Sequence, residues 1–491
     1  MNPKGLFHLQ SLTSPMLWDP SPERSPRGSG VARGRKFSRL LPMDGQKSVQ
    51  NEPPAAMGEL PGGAPEKLRF RPKAEPEGPP AARAPAGRYY AALLAGDLRS
   101  LQVLTDRYHQ DVNLVFELGQ EELEWQAKSR ASYGLSGLWS LEYKRELSTP
   151  LCIAAGRGHA GCLRHLLRRR AAPDLAPGGR GALHEACRGG HAACAALLLE
   201  HRADPQLRGA DGRAPLHLCA APATLGCAKL LVQHGAAVNL PAEDTGDTAL
   251  HVAARHCLYE HAQLYLARGA GVDRRNAQDE TPLSVLCGQA PRDEDGCLQL
   301  CRLLVRHGAD VEARDEARRG PLHKACGQAN HRVVRFLLRR GADVNALDYD
   351  GLSPLGCVLR AAACKRELQP HLCVQVLLNH GSQKIWPGAF EKVLKSCAAV
   401  PEIIEILFNS YSQIPVAEKW AEAVPEEVFQ QHLTFYESLF RLSGTARCLQ
   451  HLCRFAIRKQ LGSKCHRLVA LLPVPKSLHG YLLLEPQGAV L

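Results

Sequence analysis

The chain has no run of about 20 apolar residues that could span a bilayer, and no apolar core near its N-terminus that reads as a signal peptide. Neither a membrane span nor secretion is therefore expected. Cysteine is plentiful, at 18 residues, yet no pair of Cys-x-x-Cys motifs stands at zinc spacing. A phosphate loop and a Gly-x-Ser-x-Gly elbow are also missing. These absences point to a protein that is not an enzyme, holds no metal or cofactor, and works in a reducing compartment. The net charge of +12 is unevenly spread. Residues 1–88 hold 14 Lys and Arg against 8 Asp and Glu, and residues 441–491 hold 8 against 1. The middle of the chain is close to neutral, which argues against a nucleic-acid partner.

One phrase keeps returning in that middle. It reads Thr149-Pro150-Leu151, Ala182-Leu183-His184, Pro215-Leu216-His217, Ala249-Leu250-His251, Pro282-Leu283, Pro321-Leu322-His323 and Pro354-Leu355. The steps between its leucines are 32, 33, 34, 33, 39 and 33 residues. A period near 33 with a Thr-Pro-Leu-His-type phrase resembles the ankyrin repeat. The phrase opens a first helix, where proline loses no hydrogen bond because its missing N–H would be unpaired anyway. A second helix follows, with paired leucines such as Leu166-Leu167 and Leu337-Leu338, and stops at Gly235, Gly308 or Gly341. One unit cannot bury its own apolar face, so neighbours stack into a continuous core. Cys187, Cys287 and Cys326 fall four residues after the repeat leucine, where sister repeats carry alanine, and so read as small buried residues. His184, His217, His251 and His323 share one repeat position and read as structural. Asn239 and Asn345 read as residues that stabilise their own turns.

The expected organisation is a disordered, proline-rich segment over 1–88, with 15 of the 34 prolines. A degenerate first repeat over 89–117 caps the array, and an insertion over 118–146 carries Trp125, Trp139 and Tyr143, which are expected to rest on it. Seven repeats occupy 147–382. The stretch from Pro291 to Gly296 reads as a polar loop between the two helices of its repeat. Helical capping and linker segments fill 383–444. The run Arg33-Gly34-Arg35-Lys36 reads as a solvated charge run or a nuclear-localisation patch, so the expected location is the cytoplasm with the nucleus open.

The tail carries a second signal. Leu449, Leu452, Cys453, Ala456, Ile457 and Leu461 make one apolar helical face, with Arg454, Arg458 and Lys459 off much of it. Leu472-Pro473-Val474-Pro475 follows, held extended by its two prolines. The plain reading is a terminal helix docked on the array, which would leave a non-catalytic ankyrin scaffold. The stretch Cys448 to Ile457 resembles the elongin-binding motif of the SOCS box: a small residue, Leu, three residues, Cys, three residues, an aliphatic. Leu472 to Pro475 resembles that family's Leu-Pro-aliphatic-Pro cullin-5 motif. Cys448 departs from the more usual Ser, Thr, Pro or Ala. With an ankyrin array before them, residues 89–491 are similar to the ankyrin repeat and SOCS box family, with the SOCS box over 445–485.

The resemblance implies an all-α ankyrin-repeat solenoid, a helical capping segment and a C-terminal SOCS box. It implies elongin B/C as a partner through Leu449, Leu452, Cys453 and Ile457, and cullin-5 with its RING subunit through Leu472, Pro473, Val474 and Pro475. It also implies a protein substrate, of unstated identity, held on the array for ubiquitination. Ankyrin arrays bind on the concave face, so Arg208, Arg213, Arg274, Arg275, Arg314, Arg318, Arg319 and Tyr349, at the turn tips, are the candidate substrate contacts.

Overall fold

The computed structural model describes residues 86–127, 139–290, 293–416, 419–442 and 445–490, with the backbone alone over 118–145. The basic run at Arg33–Lys36 and the first 85 residues of the segment expected to be disordered, 1–88, lie outside the described residues. The last three residues of that segment are already helical, because the first helix runs Ala86–Ala95. Tyr89, Tyr90 and Leu93 are buried in it. Both tyrosine rings lie against Phe116, with centroids 5.9 and 5.4 Å away. Burial of three large side chains sets the start of this helix, so the proline-rich composition gives way before residue 89.

Helix pairs follow in the expected order. The helix Leu98–Asp106 completes the degenerate first pair, and Asp97 caps it by accepting from the N–H of Arg99 and Ser100. Each later pair has a short inner helix that opens on the repeated phrase and an outer helix that carries the paired leucines, as in Pro321–Gly327 and His331–Arg339. The third clear repeat departs from this pattern. Its first helix is a single 3-10 turn, Pro215–Leu218. Pro222 forces Ala221 into an extended conformation and stops the helix early. A further pair, Phe390–Cys397 and Pro401–Asn409, stacks on the last repeat. Phe390, Phe408 and Trp420 fill the space beyond it, with Phe390 and Trp420 stacked at 4.8 Å.

The repeated phrase works by two interchangeable caps. Where its fourth residue is not histidine, the first residue's hydroxyl accepts from the fourth residue's N–H. Thr149, Thr281 and Ser353 bond Cys152, Ser284 and Gly356 in this way. Where the fourth residue is histidine, its Nδ1 accepts from the first residue's N–H. His184, His217, His251 and His323 take Gly181, Ala214, Thr248 and Gly320. Nε2 then donates to a carbonyl in the next turn, at Arg213, Leu240, Glu280 and Ala346. Burial pushes all four imidazoles below their ordinary pKa, which favours the neutral form this pattern needs. The histidine therefore caps its own helix and staples the following repeat.

Asn239 and Asn345 also act on the following repeat rather than their own turn. Asn239 bonds the carbonyl of Gly269 and the N–H of Gly271, and Asn345 accepts from Gln383. Cys187, Cys287 and Cys326 are buried between helices, and burial pushes the Cys326 thiol well up. Gly235, Gly308 and Gly341 end their outer helices at φ of +86°, +91° and +95°. Arginine holds the equivalent left-handed position at Arg170 and Arg202.

The expected helical solenoid is present, and the insertion adds to it one antiparallel hairpin, Phe116–Ala127 with Trp139–Ser148. The side chains of Trp125, Trp139 and Tyr143 lie outside those described. One expectation needs correction: the polar stretch from Pro291 is not all loop. Asp293 caps the outer helix Glu294–Arg306, so Glu294, Asp295 and Gly296 form its first turn. An acidic first turn complements the helix dipole, which is why this charged segment folds as helix.

Candidate partner-binding surfaces

The helix Leu449–Leu461 follows Cys448, which is in an extended conformation. Its apolar side is turned outward. Leu449 is 76% exposed and Leu452 42%; Cys453 and Ala456 are also exposed, and Ile457 is half-buried. The inward side is made of Arg447, His451, Arg454 and Arg458, at a spacing of 4, 3 and 4 residues. Arg447, His451 and Arg454 are buried.

This inward side is held by hydrogen bonds rather than by apolar contact. Arg447 donates to the Asn409 side chain at 2.7 Å, and its guanidinium lies 4.7 Å over Phe408. Arg447 and Arg454 both donate to His451 Nδ1, at 2.9 and 2.8 Å, and His451 Nε2 donates to the Tyr411 carbonyl at 2.7 Å. Burial and the two guanidiniums pull the His451 pKa down to about 4, so the ring is neutral and can accept from both. Arg454 lies 4.1 Å over Tyr481. Arg458 donates to Asn379 and to the carbonyl of Leu482 at 2.7 Å. Burial lowers Arg447 to about 10 and lowers Arg454 and Arg458 too. Glu405 is the buried acid beside them, and its carboxylate accepts from the N–H of Gln487 and Gly488. The extreme tail thus ties back onto the helix pair that ends the array.

The phrase Leu472–Pro475 follows a short 3-10 turn and is not extended throughout as expected: Leu472 and Pro475 are extended, but the Val474 N–H donates to the Leu472 carbonyl at 2.8 Å, which makes a tight turn at Pro473. Pro473 and Pro475 are exposed, Leu472 and Val474 half-buried. Leu471 beside them is 77% exposed.

The turn-tip arginines are mostly engaged. Arg208 donates to the carbonyls of Gly212 and Pro241, Arg213 reaches Asp244 at 3.1 Å, and Arg275 donates to the Arg314 carbonyl at 2.8 Å. Arg314 reaches the carbonyl of Leu347 at 3.4 Å, and Arg319 pairs with Asp315 at 3.2 Å. Arg208, Arg213, Arg275 and Arg314 thereby link one turn to the next. Arg318 lies 5.5 Å over the Tyr349 ring. Arg274 is exposed. Sequence reasoning missed Trp386, exposed on the following turn, because it sits beyond the last repeated phrase. It also missed the inward role of Arg447 and His451, although their helical spacing with Arg454 and Arg458 was readable. Among the described residues, no three His, Cys, Asp or Glu side chains converge as metal ligands, and no helix is long and apolar enough to cross a membrane.

Comparison with known proteins places both regions. The family model of the SOCS box matches residues 445–483, and that of ankyrin repeats (3 copies) matches 139–209, 203–276 and 289–386. Ankyrin repeat and SOCS box protein 18 of Homo sapiens is 60% identical over 413 residues, covering 84% of this chain and 88% of that protein. Ankyrin repeat and SOCS box protein 10 of Homo sapiens is 43% identical, covering 83% and 89%. The solved ankyrin repeat domain of human ASB11 is 27% identical with a TM-score of 0.40, covering 45% of this chain and 97% of that one.

Proposed function

The chain belongs to the ankyrin repeat and SOCS box family, and on that premise we propose that it is the substrate-recognition subunit of an elongin B/C–cullin-5–RING ubiquitin ligase. The array holds the protein to be modified. The SOCS box joins the array to the ligase, and ubiquitin passes from a conjugating enzyme to substrate lysines, with no catalytic residue in this chain.

The observation that carries this reading is the orientation of Leu449–Leu461. A terminal helix that served only to close the array would turn its leucines inward. Here the leucines face solvent, and the inward contacts are polar. An exposed apolar face on a helix fixed from behind suits helix-in-groove recognition. Leu449 would enter the elongin C pocket, with Leu452, Cys453 and Ile457 beside it, and Leu472–Pro475 would meet the cullin. A central leucine of this kind is worth about 2 kcal/mol on truncation, or roughly thirtyfold in affinity.

The test is to express the full chain with elongin B and C and follow co-elution, using Leu449→Pro with Cys453→Phe as the control. Leu449 is the first helical residue, so proline removes its side chain without breaking the helix. Cys453 is exposed, so phenylalanine adds bulk only to the outward face. Co-elution by the wild type, lost in a folded double variant, supports the ligase reading. A wild-type chain that never binds the elongins returns the protein to a scaffold role.

A further inference from the structure

The inner helices of the fourth to seventh clear repeats enclose a groove of about 540 Å³. Cations from the fourth, sixth and seventh repeats line its floor, from Arg255 through Arg319 and Lys324 to Arg360 and Lys365. The first three are matched. Arg255 pairs with Asp247 at 2.5 Å, Arg319 with Asp315 at 3.2 Å, and Lys324 with Glu280 and with Asp315 at 3.1 Å. The last two are not. The Lys365 ammonium is half-buried and donates to the carbonyl of Gly327 at 2.7 Å and to the Gln328 side-chain oxygen, both neutral. Arg360 is exposed, and among the described residues no carboxylate pairs with it or with Lys365. Burial lowers the pKa of Lys365, as expected for a cation whose neighbours supply no countercharge.

The rim at the Arg319 end of the groove, where the inner helices begin, is apolar. Leu347 is 54% exposed, Tyr349 70% and Trp386 78%, on two successive turns. The Tyr349 N–H bonds the Ala317 carbonyl, and Arg318 covers its ring, so the rim is continuous with the turn that supplies Arg319. Gln383 bonds Asn345, which joins the Trp386 turn to its neighbour. The unmatched cations lie further along the same groove, where Lys365 meets the last turn of the preceding inner helix at Gly327 and Gln328; aromatic residues and unmatched cations along one groove have the composition of a binding hot spot.

We propose that this groove and rim dock an extended segment of the target protein in which carboxylates stand a few residues away from a large apolar side chain. A carboxylate would accept the third ammonium N–H of Lys365 and pair with Arg360, while the apolar residue covers Leu347, Tyr349 and Trp386. The N-terminal segment of this chain does not suit the groove on charge, with 14 Lys and Arg against 8 Asp and Glu over residues 1–88. The proposal rests on the substrate-receptor reading for its setting but is tested apart from it.

The test uses the full chain and fluorescein-labelled repeat peptides of Glu-Glu-Phe, Lys-Lys-Phe and Glu-Glu-Ser, followed by anisotropy at low and high salt. The Glu-Glu-Phe peptide binds and weakens with salt; the Lys-Lys-Phe peptide does not bind, and serine for phenylalanine costs about tenfold. Arg360→Gln with Lys365→Gln costs about tenfold, as does Tyr349→Ser with Trp386→Ser, while the melting temperature and elongin recovery stay at the wild-type level. The proposal is overturned if the wild type ignores Glu-Glu-Phe, if it binds Lys-Lys-Phe equally, or if either double variant binds like the wild type. Peptide binding without elongin recovery keeps the groove and rejects the ligase; elongin recovery without peptide binding does the reverse.

Discussion

Leu337 and Leu449 are both leucines on amphipathic helices of similar composition, yet Leu337 is fully buried and Leu449 is 76% exposed. In the outer helix His331–Arg339, Val333, Val334, Leu337 and Leu338 face the stack, as the stacking of repeats requires. In Leu449–Leu461 arginine and histidine face the protein and the leucines face out. Burying guanidiniums carries a desolvation cost that apolar contact would avoid. The cost is offset by charge-assisted hydrogen bonds and by the Phe408 and Tyr481 ring faces. What the arrangement achieves is a helix fixed in place that keeps its apolar side unspent. The array uses its leucines to hold itself together, and the tail reserves its own.

The largest expected effect breaks that contrast directly. Leu337→Ala should cost about 3–4 kcal/mol of stability, through lost transfer energy and the cavity left behind. Leu449→Ala should cost less than about 0.5 kcal/mol, because most of its side chain is already in water. Chemical denaturation of both variants measures the difference. Equal losses would mean that the outward face of Leu449–Leu461 is not free.

Next in size is the inward face. Arg454→Ala removes a donor to His451 and the cover of Tyr481, at about 2–3 kcal/mol. The loss should be local: exchange protection falls over 449–461 while the outer helices of the array keep theirs. Protection lost equally across the array would show that the tail is part of the array's cooperative unit rather than a separately anchored one.

A smaller effect follows from pH. His451 titrates at about 4 in the fold against an ordinary value near 6.5. A histidine whose folded pKa is depressed stabilises fully above its unfolded value and loses that contribution as pH falls toward the folded one. Protonation would also place a third cation between Arg447 and Arg454. Lowering the pH from 7 to 5 should weaken the anchoring of the tail by about 2 kcal/mol. His184, His217, His251 and His323 shift in the same direction, so the array weakens with acid too. Exchange over 449–461, corrected for intrinsic rates and compared with His451→Asn, isolates the tail's share. An unchanged pH response in His451→Asn would assign the effect elsewhere.

Much of the array was legible because its signals are local and repeated. The leucine of each phrase, the paired leucines of the outer helices and the closing glycines follow from helix periodicity and capping. The hairpin also left a local trace, because Leu123, Trp125 and Ala127 alternate with polar residues as Trp139, Leu141 and Tyr143 do, but its aromatics were read as packing residues rather than as strand positions. In the tail both motifs were readable, while the direction in which Leu449–Leu461 faces was not. Periodicity finds two faces on a helix, and the usual expectation puts the apolar one inside. Here Asn379, Asn409 and the Tyr411 carbonyl, from segments 38–79 residues earlier in the chain, reverse it. Long-range polar partners leave no local trace in sequence.

The smallest expected effect sharpens the comparison at the turn tips, where one arginine could serve the array or its target. Arg275 is exposed and bonds the Arg314 carbonyl of the next turn. Such a surface contact is worth within about 0.5 kcal/mol of stability, so Arg275→Ala should leave the melting curve nearly unchanged. Arg274 beside it is exposed, and Arg274→Ala should be equally silent in stability. If both variants also capture substrate normally, these two tip arginines are neither structural nor functional, and recognition belongs to the groove floor and its aromatic rim. If capture falls for Arg274→Ala but not for Arg275→Ala, the staple is what removes an arginine from the binding surface. The measurement is therefore a pair: one melt and one capture assay for each of two adjacent side chains that differ in whether the array already holds them.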